Sequence, residues 1–203
     1  MTVLALVLYV VYLVLAFGLR TLIQLRRTGS TGFHGLGGRP FSAEWIAGVG
    51  FTVALLVGAA APVLALLDVV EPISALDTTA VHIVGLVLAV GGIAATFRAQ
   101  IAMGTSWRIG VDPEERTELV MDGPFAVVRN PIFAAMLPTA LGLTLLVPSW
   151  VAILGLVGLV VALELQVRVV EEPYLVKAHG RAYAAYAARV GRFFPGVGRL
   201  TQP

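Results

Sequence analysis

The sequence contains no cysteine and little charge, and each shortage excludes a class of protein. Without cysteine, the 203-residue chain has no disulfide framework, no thiolate nucleophile and no cysteine-ligated zinc or iron–sulfur site. Charged residues make up only 13% of the chain and hydrophobic residues 58%, whereas about a quarter of the residues in soluble domains are charged. Together with a mean hydropathy of +0.90, this composition predicts a membrane protein.

Histidine is also scarce, and the basic residues form no cluster. His34, His82 and His179 lie far apart, and none has a second histidine or a carboxylate at ligand spacing, so no metal is expected. The pI is about 9.3, but the lysines and arginines lie at the ends of apolar segments. Membrane topology explains that distribution better than phosphate binding does. The expected partner is therefore a lipid bilayer and not a nucleic acid.

Five apolar segments predict helices that cross or nearly cross a hydrocarbon core of about 30 Å. They run from about Val3 to Leu25, Trp45 to Leu67, Thr79 to Met103, Pro131 to Val147 and Trp150 to Val170, with an amphipathic stretch from Glu171 to Arg189. The first is too long for a signal-peptide core and is expected to be a retained span. The predicted fold class is all-α: a polytopic membrane helical bundle of about five transmembrane helices plus a C-terminal amphipathic cytoplasmic helix. One domain, residues 1–203, is expected.

The positions of the basic residues predict an orientation in the membrane. With five spans, all 14 lysines and arginines fall on one side, and the loop from Asp68 to Asp77 carries three acids and no basic residue. Because basic loops stay in the cytoplasm, we expect an integral protein of a cell inner membrane, with the N-terminus outside and the C-terminus cytoplasmic.

The stretch from Asp122 to Pro138 joins a polar turn to the start of an apolar helix. Arg129 and Asn130 come directly before Pro131, and asparagine at the N-cap followed by proline is typical of a helix start. A helix start beside a fixed guanidinium suits a carboxylate or another anion. The alternative interpretation is a capped helix with a positively charged membrane anchor.

Three further polar features lie at the same predicted membrane face. Gln100, Met103 and Trp107 share one helix face, followed by Arg108, although an aromatic interface belt with a snorkelling arginine has the same pattern. Glu164, Arg168 and Glu172 are spaced i, i+4, i+8, as a candidate site or as a self-satisfied ion-pair ladder. His179, Tyr183 and Tyr186 follow at i, i+4 and i+7, a pattern also typical of an interface anchor.

Three motifs in this part of the chain resemble those of a known group of enzymes. Residues 123–133, Gly-Pro-Phe-Ala-Val-Val-Arg-Asn-Pro-Ile-Phe, resemble the Gly-Pro-Tyr-x-x-x-Arg-His-Pro-x-Tyr signature of integral membrane methyltransferases, the isoprenylcysteine carboxyl methyltransferase and phospholipid methyltransferase family. Residues 171–186 and 190–195 are similar to the second signature of that family, and residues 103–107 to its Leu-Gly-x-x-aromatic element. Order and spacing agree over residues 91–195, with residues 1–90 holding the N-terminal spans and a Gly-rich loop.

The resemblance implies an S-adenosylmethionine-dependent methyltransferase whose cofactor lies in a cytoplasmic pocket. It would act on a lipophilic or prenylated acceptor with a carboxylate, hydroxyl or amine. Arg108, Arg129 and Glu164 are the candidate catalytic residues. The candidate cofactor-binding residues are Gln100, Met103, Gly104, Trp107, Gly123, Pro124, Phe125, Arg129, Asn130, Pro131, Phe133, Glu171, Glu172, Tyr183, Tyr186 and Arg192.

Two departures from the signature concern the acceptor more than the cofactor. Asn130 replaces the usual histidine and cannot titrate near neutral pH, and Phe133 replaces a tyrosine and lacks its hydroxyl. The small residues of the third segment suggest a sideways route for the acceptor from the bilayer. Two other classes fit the composition: an NADPH-dependent membrane reductase of the sterol reductase type, and a non-catalytic scaffold or transporter. The mixed charge of the polar region and the absence of a repeat weigh against them.

Overall fold

The computed structural model describes residues 1–33, 37–110 and 118–200, which form helices joined by irregular segments. His34 and parts of the Gly-rich loop and of the 104–123 stretch lie outside the described residues. The five helices are α1 (Thr2–Thr28), α2 (Ala43–Leu66), α3 (Thr79–Ala102), α4 (Pro131–Leu146) and α5 (Trp150–Arg189). Within the described ranges, β-structure is limited to two isolated bridges.

Four of these helices are long and apolar enough to cross a membrane, and α4 is the shorter fifth. The 16 residues of α4 give a length of about 24 Å, less than a hydrocarbon core. Large apolar side chains such as Leu56, Val87 and Leu154 point outward and are more than half exposed, as expected for surfaces that face lipid. The predicted all-α membrane bundle is confirmed. Its orientation and the identity of the membrane stay predictions.

Glycines bring α3 and α4 into close contact. A Cβ added to Gly85 would lie 2.9 Å from the carbonyl oxygen of Gly142, and one added to Gly92 would overlap the backbone of Thr139. Helix α4 therefore covers α3 at Gly85 and Gly92, whereas Gly91 faces away from it. The two helices leave no gap at Gly85 and Gly92, and the expected sideways entry of an acceptor between helices stays a prediction.

The remaining helices pack on α2 and α1. A Cβ added to Gly155 of α5 would lie 2.9 Å from the backbone nitrogen of Gly58 in α2. Tyr12 and Ala16 of α1 belong to a buried cluster with residues of α3, α4 and α5, including Met136. Helix α1 thus lies against both the α3–α4 pair and the α2–α5 pair. Its C-terminal half reaches the region where most of the predicted site residues lie.

Helix α5 extends from its apolar first part into the amphipathic region, with two irregularities. Between Gln166 and Glu171 it widens into one π-helical turn, and at Gly180 the backbone leaves the helical region with φ +49° and ψ −121°. The predicted Glu–Arg–Glu ladder forms only in part: Glu164 pairs with Arg168 on an exposed surface. The additional residue in the π turn rotates Glu172 away from that face and buries it.

Candidate active site

A cavity of about 560 Å³ lies among all five helices, within the range of about 300–1,000 Å³ typical of ligand pockets. Its walls come from α1, α2, the end of α3, the start of α4, α5 and the irregular segments that follow α3. One end is polar and aromatic, and the other is an apolar arm between the membrane helices. Segments far apart in the sequence therefore meet around one space.

Most of the predicted site residues line this cavity. The cavity-lining residues among them are Gln100, Met103, Trp107, Arg108, Phe125, Arg129, Asn130, Pro131, Phe133, Glu171, Tyr183 and Tyr186. Although α3 ends at Ala102 and a 3-10 turn follows, Gln100, Met103 and Trp107 still share the cavity wall. The structure thus places residues of all three sequence motifs together.

The other predicted residues do not line the cavity. They are Gly104, Gly123, Pro124, Glu164, Glu172 and Arg192. Gly104 and Gly123 have φ values of +61° and +57°, so they allow the backbone to turn before each cavity-lining segment. Glu164 pairs with Arg168 on the outside of α5, which does not suit it to act on a substrate in the cavity.

Arg129, Glu172 and Arg192 form a buried ion-pair network beside the cavity. Arg129 Nη2 donates to Glu172 Oε1 at 2.6 Å, and Arg192 donates from Nε and Nη2 to the two carboxylate oxygens at 2.9 and 2.7 Å. The Arg129 guanidinium also donates to the carbonyl oxygens of Ala187, Val190 and Gly198. These contacts hold the C-terminal segment against the start of α4.

The pKa values in this network reflect the pairing. Burial alone would raise the pKa of Glu172, but hydrogen bonds from Arg192 and Arg129 outweigh it and lower the pKa below the ordinary value. The same carboxylate raises the pKa of the Arg192 guanidinium. Glu172 is therefore charged at neutral pH, and both of its oxygens accept hydrogen bonds from the two arginines.

Helix α4 begins at the cavity without a side-chain cap. Asn130 occupies the predicted N-cap position, but its side chain accepts no hydrogen bond from the helix. Instead its Nδ2 donates to the carbonyl oxygen of Arg192 at 3.2 Å, and the backbone N–H groups of Arg129 and Asn130 donate to Gly191 and Arg192. The expected capping role of the Asn130 side chain is wrong, because the amide is turned toward the C-terminal segment.

Glu171 and Arg108 place an acidic and a basic side chain in the cavity wall. Arg108 Nη2 donates to the Tyr174 hydroxyl at 3.3 Å, and its guanidinium lies 5.4 Å from the centre of that ring. Glu171, which follows the last residue of the apolar stretch, accepts a hydrogen bond of 3.4 Å from Gln166. Burial raises the pKa of Glu171 to about 7, although Gln166 and Arg108 oppose the shift.

Aromatic side chains form a further part of the cavity wall. The rings of Tyr183 and Tyr186 meet edge to face, with centroids 6.2 Å apart, and the Tyr186 hydroxyl donates to the carbonyl oxygen of Phe125 at 2.6 Å. Both tyrosines are almost fully buried. They therefore line the cavity and do not form an exposed interface anchor, the alternative that the sequence also allowed.

The apolar arm consists mainly of residues for which the sequence offered no functional signal. Phe17 and Phe51 face each other across α1 and α2 with ring centroids 6.5 Å apart, and Leu55 and Met136 continue the arm. Glu44 at the start of α2 also lines the cavity. The sequence does not show whether an apolar residue in a membrane helix faces lipid or a cavity. Only the packing of the helices identifies these residues.

Arg20 of α1 is another residue that the sequence did not single out. Its side chain is fully buried, and its guanidinium lies 4.6 Å from the centre of the Trp107 ring. It donates to the carbonyl oxygen of Gln100 at 3.2 Å and to that of Gly104 at 2.5 Å. In the sequence it looked like one of several arginines that flank the first span.

Comparison with known proteins assigns this arrangement to a family. The model of the phospholipid methyltransferase family matches residues 80–182, about half of the chain, from α3 through the 123–133 motif to the second half of α5. Searches of curated proteins and of solved structures gave no match. The matched region contributes the cavity-lining residues from Gln100 to Leu175. Tyr183 and Tyr186 follow directly after it, and α1 and α2 lie outside it. The chain belongs to the phospholipid methyltransferase family.

Proposed function

We propose that this membrane methyltransferase transfers the methyl group of S-adenosylmethionine to a lipophilic acceptor at the cytoplasmic face of the membrane. The observation that carries the proposal is one continuous cavity of about 560 Å³. It joins a polar, aromatic end, lined largely by the family region and by Tyr183 and Tyr186, to an apolar arm between membrane helices. A polar cofactor and an acceptor with an apolar chain can thus meet in one space.

The residues at the polar end suit S-adenosylmethionine. This cofactor has an ammonium, a carboxylate and an adenine, and when bound it supplies a methyl group on a positively charged sulfur. The Glu171 carboxylate would pair with the ammonium, and the uncapped start of α4 at Asn130 would accept the carboxylate. The rings of Tyr183 and Phe125 would form apolar walls for the adenine.

We assign Arg129 and Glu172 to positioning the site and not to binding the cofactor, because their charged groups are already paired. Each Glu172 oxygen accepts at least one hydrogen bond from a guanidinium, and Arg129 holds carbonyl oxygens of the C-terminal segment. They would keep Tyr183 and the start of α4 at a fixed separation. Alignment of the reacting groups is the main requirement of methyl transfer, so such positioning contributes directly to the rate.

The apolar arm would hold the hydrocarbon part of the acceptor, with Glu44 at its polar end. Glu44 lies about one, two and three turns before Gly48, Thr52 and Leu55, so all four line the same side of α2. Among the described residues, the Glu44 carboxylate has no hydrogen bond or ion pair. A free carboxylate there favours an acceptor whose polar group donates a hydrogen bond, such as an amine or a hydroxyl, over a carboxylate.

The first experiment is calorimetric titration of the detergent-purified protein with S-adenosylhomocysteine, in parallel with NADPH. We expect micromolar affinity for S-adenosylhomocysteine, weakened about tenfold or more in Glu171→Gln, which corresponds to about 1.4 kcal/mol. Glu71→Gln, a change in the exposed loop before α3, is the matched control and should bind like the wild type. Binding of NADPH without binding of S-adenosylhomocysteine would identify a reductase, and binding of neither would favour a non-catalytic protein.

The acceptor is tested by methyl transfer to long-chain compounds that differ only in the head group. A C16 amine, alcohol and carboxylate are supplied with radiolabelled S-adenosylmethionine. We expect labelled amine or alcohol and little labelled carboxylate, and Glu44→Gln should reduce the preference without altering the affinity for S-adenosylhomocysteine. Preferred labelling of the carboxylate would contradict the role given to Glu44.

A further inference from the structure

Helix α1 places a buried cation directly behind the cavity wall. Arg20 has no exposed surface, and its Nη1 donates to Gln24 Oε1 at 3.1 Å while Nε and Nη2 donate to the carbonyl oxygens of Gln100 and Gly104. In the described part of the chain it pairs with no carboxylate. Removing an arginine from water is costly, and an intramembrane charge without an acidic partner suggests a functional reason for its presence.

The partners of Arg20 are the last turn of α3 and the turn that follows it. The final carbonyl groups of a helix have no partner within the helix and attract cations. Arg20 satisfies the one on Gln100, and its neighbour Gln24 donates to the carbonyl oxygen of Thr105 at 2.8 Å. Gln100 in turn donates from its side chain to the carbonyl oxygen of Ala16 at 2.9 Å. Helix α1 is thus connected to this segment in both directions.

The segment held in this way carries cavity residues. Trp107 is 3% exposed and lines the cavity together with Met103 and Arg108. The Arg20 guanidinium lies over the Trp107 ring, within the distance of a cation–π interaction. Movement of Arg20 would therefore displace Trp107 and the residue that follows it.

We propose that Arg20 is a positioning residue that sets the place of Trp107 and Arg108 in the cavity wall. The expected effect of Arg20 on the affinity for the cofactor rests on the proposed function. It makes α1, which lies outside the matched region of the family, a part of the catalytic unit. Arg20 itself does not line the cavity, so it acts through Trp107 and not by contact with a substrate.

The test uses the full-length protein with Trp107 as its single tryptophan, obtained by Trp45→Phe and Trp150→Phe. In this background Arg20→Met removes the charge at similar length, Arg20→Lys keeps it, and Arg27→Met removes an exposed cation from the same helix as the matched control. The readouts are the emission spectrum of Trp107 and the calorimetric affinity for S-adenosylhomocysteine.

We expect Arg20→Met to shift the Trp107 emission and to weaken S-adenosylhomocysteine binding by about tenfold to a hundredfold, the scale of a misplaced site residue. Arg20→Lys should restore part of both, and Arg27→Met should change neither. Folded Arg20→Met protein with unchanged emission and affinity overturns the proposal. If Arg20→Met does not fold, Arg20→Lys decides: an altered emission with intermediate affinity supports it, and wild-type values overturn it.

The two proposals fail in different ways. A wild-type protein that does not bind S-adenosylhomocysteine overturns the proposed function. The emission of Trp107 does not depend on that ligand, so the comparison of Arg20→Met with Arg27→Met still tests whether Arg20 sets the position of the ring.

Discussion

The substitution Glu172→Gln tests the buried network that holds the C-terminal segment. The glutamine has the same shape, but it leaves Arg129 and Arg192 without a counter-charge and turns an N–H2 group toward one of them. The side chains of Arg129 and Glu172 are only 1% and 9% exposed. Breaking a buried ion pair from one side costs about 3–5 kcal/mol, and we expect the lower part of this range because Arg192 is nearer the surface.

A loss of about 3 kcal/mol corresponds to a decrease in Tm of about 6–12 °C for a chain of this size. Thermal unfolding in detergent micelles measures it, with Glu71→Gln as the control. Limited trypsin digestion should show faster cleavage at Arg192 and Arg199, because the C-terminal segment is released first. Since the pKa of Glu172 is lowered, its stabilising effect is present at neutral pH and lost only as the pH falls through that lowered pKa.

The adjacent Glu171→Gln provides a contrast within the same turn of α5. Glu171 has no guanidinium hydrogen bond among the described residues, so its substitution should change ligand affinity and leave Tm within about 2 °C of the wild type. A Tm decrease of less than about 2 °C for Glu172→Gln would refute the reasoning, because the network would then contribute no more than an exposed ion pair.

Three other predictions address packing, the aromatic wall and pH. Gly142→Val should lower Tm strongly because its side chain would overlap the backbone of α3, whereas Gly91→Val, which faces open space, should not. Tyr186→Phe removes the hydrogen bond to Phe125 and should cost about 1 kcal/mol in thermal unfolding. Because the pKa of Glu171 is raised to about 7, lowering the pH from 8 to 6 should weaken S-adenosylhomocysteine binding as the carboxylate protonates, and calorimetry of Glu171→Gln should show no such dependence.

Much of the site could be predicted because its residues are placed by local sequence rules. Pro131 fixes the start of α4, and Gly123 and Gly104 allow the turns that precede cavity-lining segments. Once the helices form, the ends of α3 and α5 and the start of α4 lie on the same side of the bundle. The order of the family motifs and the lengths of the helices between them are therefore enough to predict that the motifs lie close together.

The rest depended on details that a periodic pattern does not contain. The π turn in α5 adds a residue to one turn, and so Glu172 leaves the face shared by Glu164 and Arg168. Asn130 has the right position for a cap, but a carbonyl 62 residues away competes for its side chain. Arg20 contacts a carbonyl 80 residues away, and no spacing rule relates residues that distant.

The hydrogen bonds from Arg129 to Val190 and Gly198 have a consequence for biosynthesis. These carbonyl groups follow all the helices of the described residues, so during translation they are made after those helices have been synthesised. A nascent chain that stops before residue 190 has the five helices α1 to α5 but lacks the contacts that hold α4 against the end of α5. The binding pocket is therefore completed only after the helices have been made, and the growing protein should bind no ligand while it is still entering the bilayer.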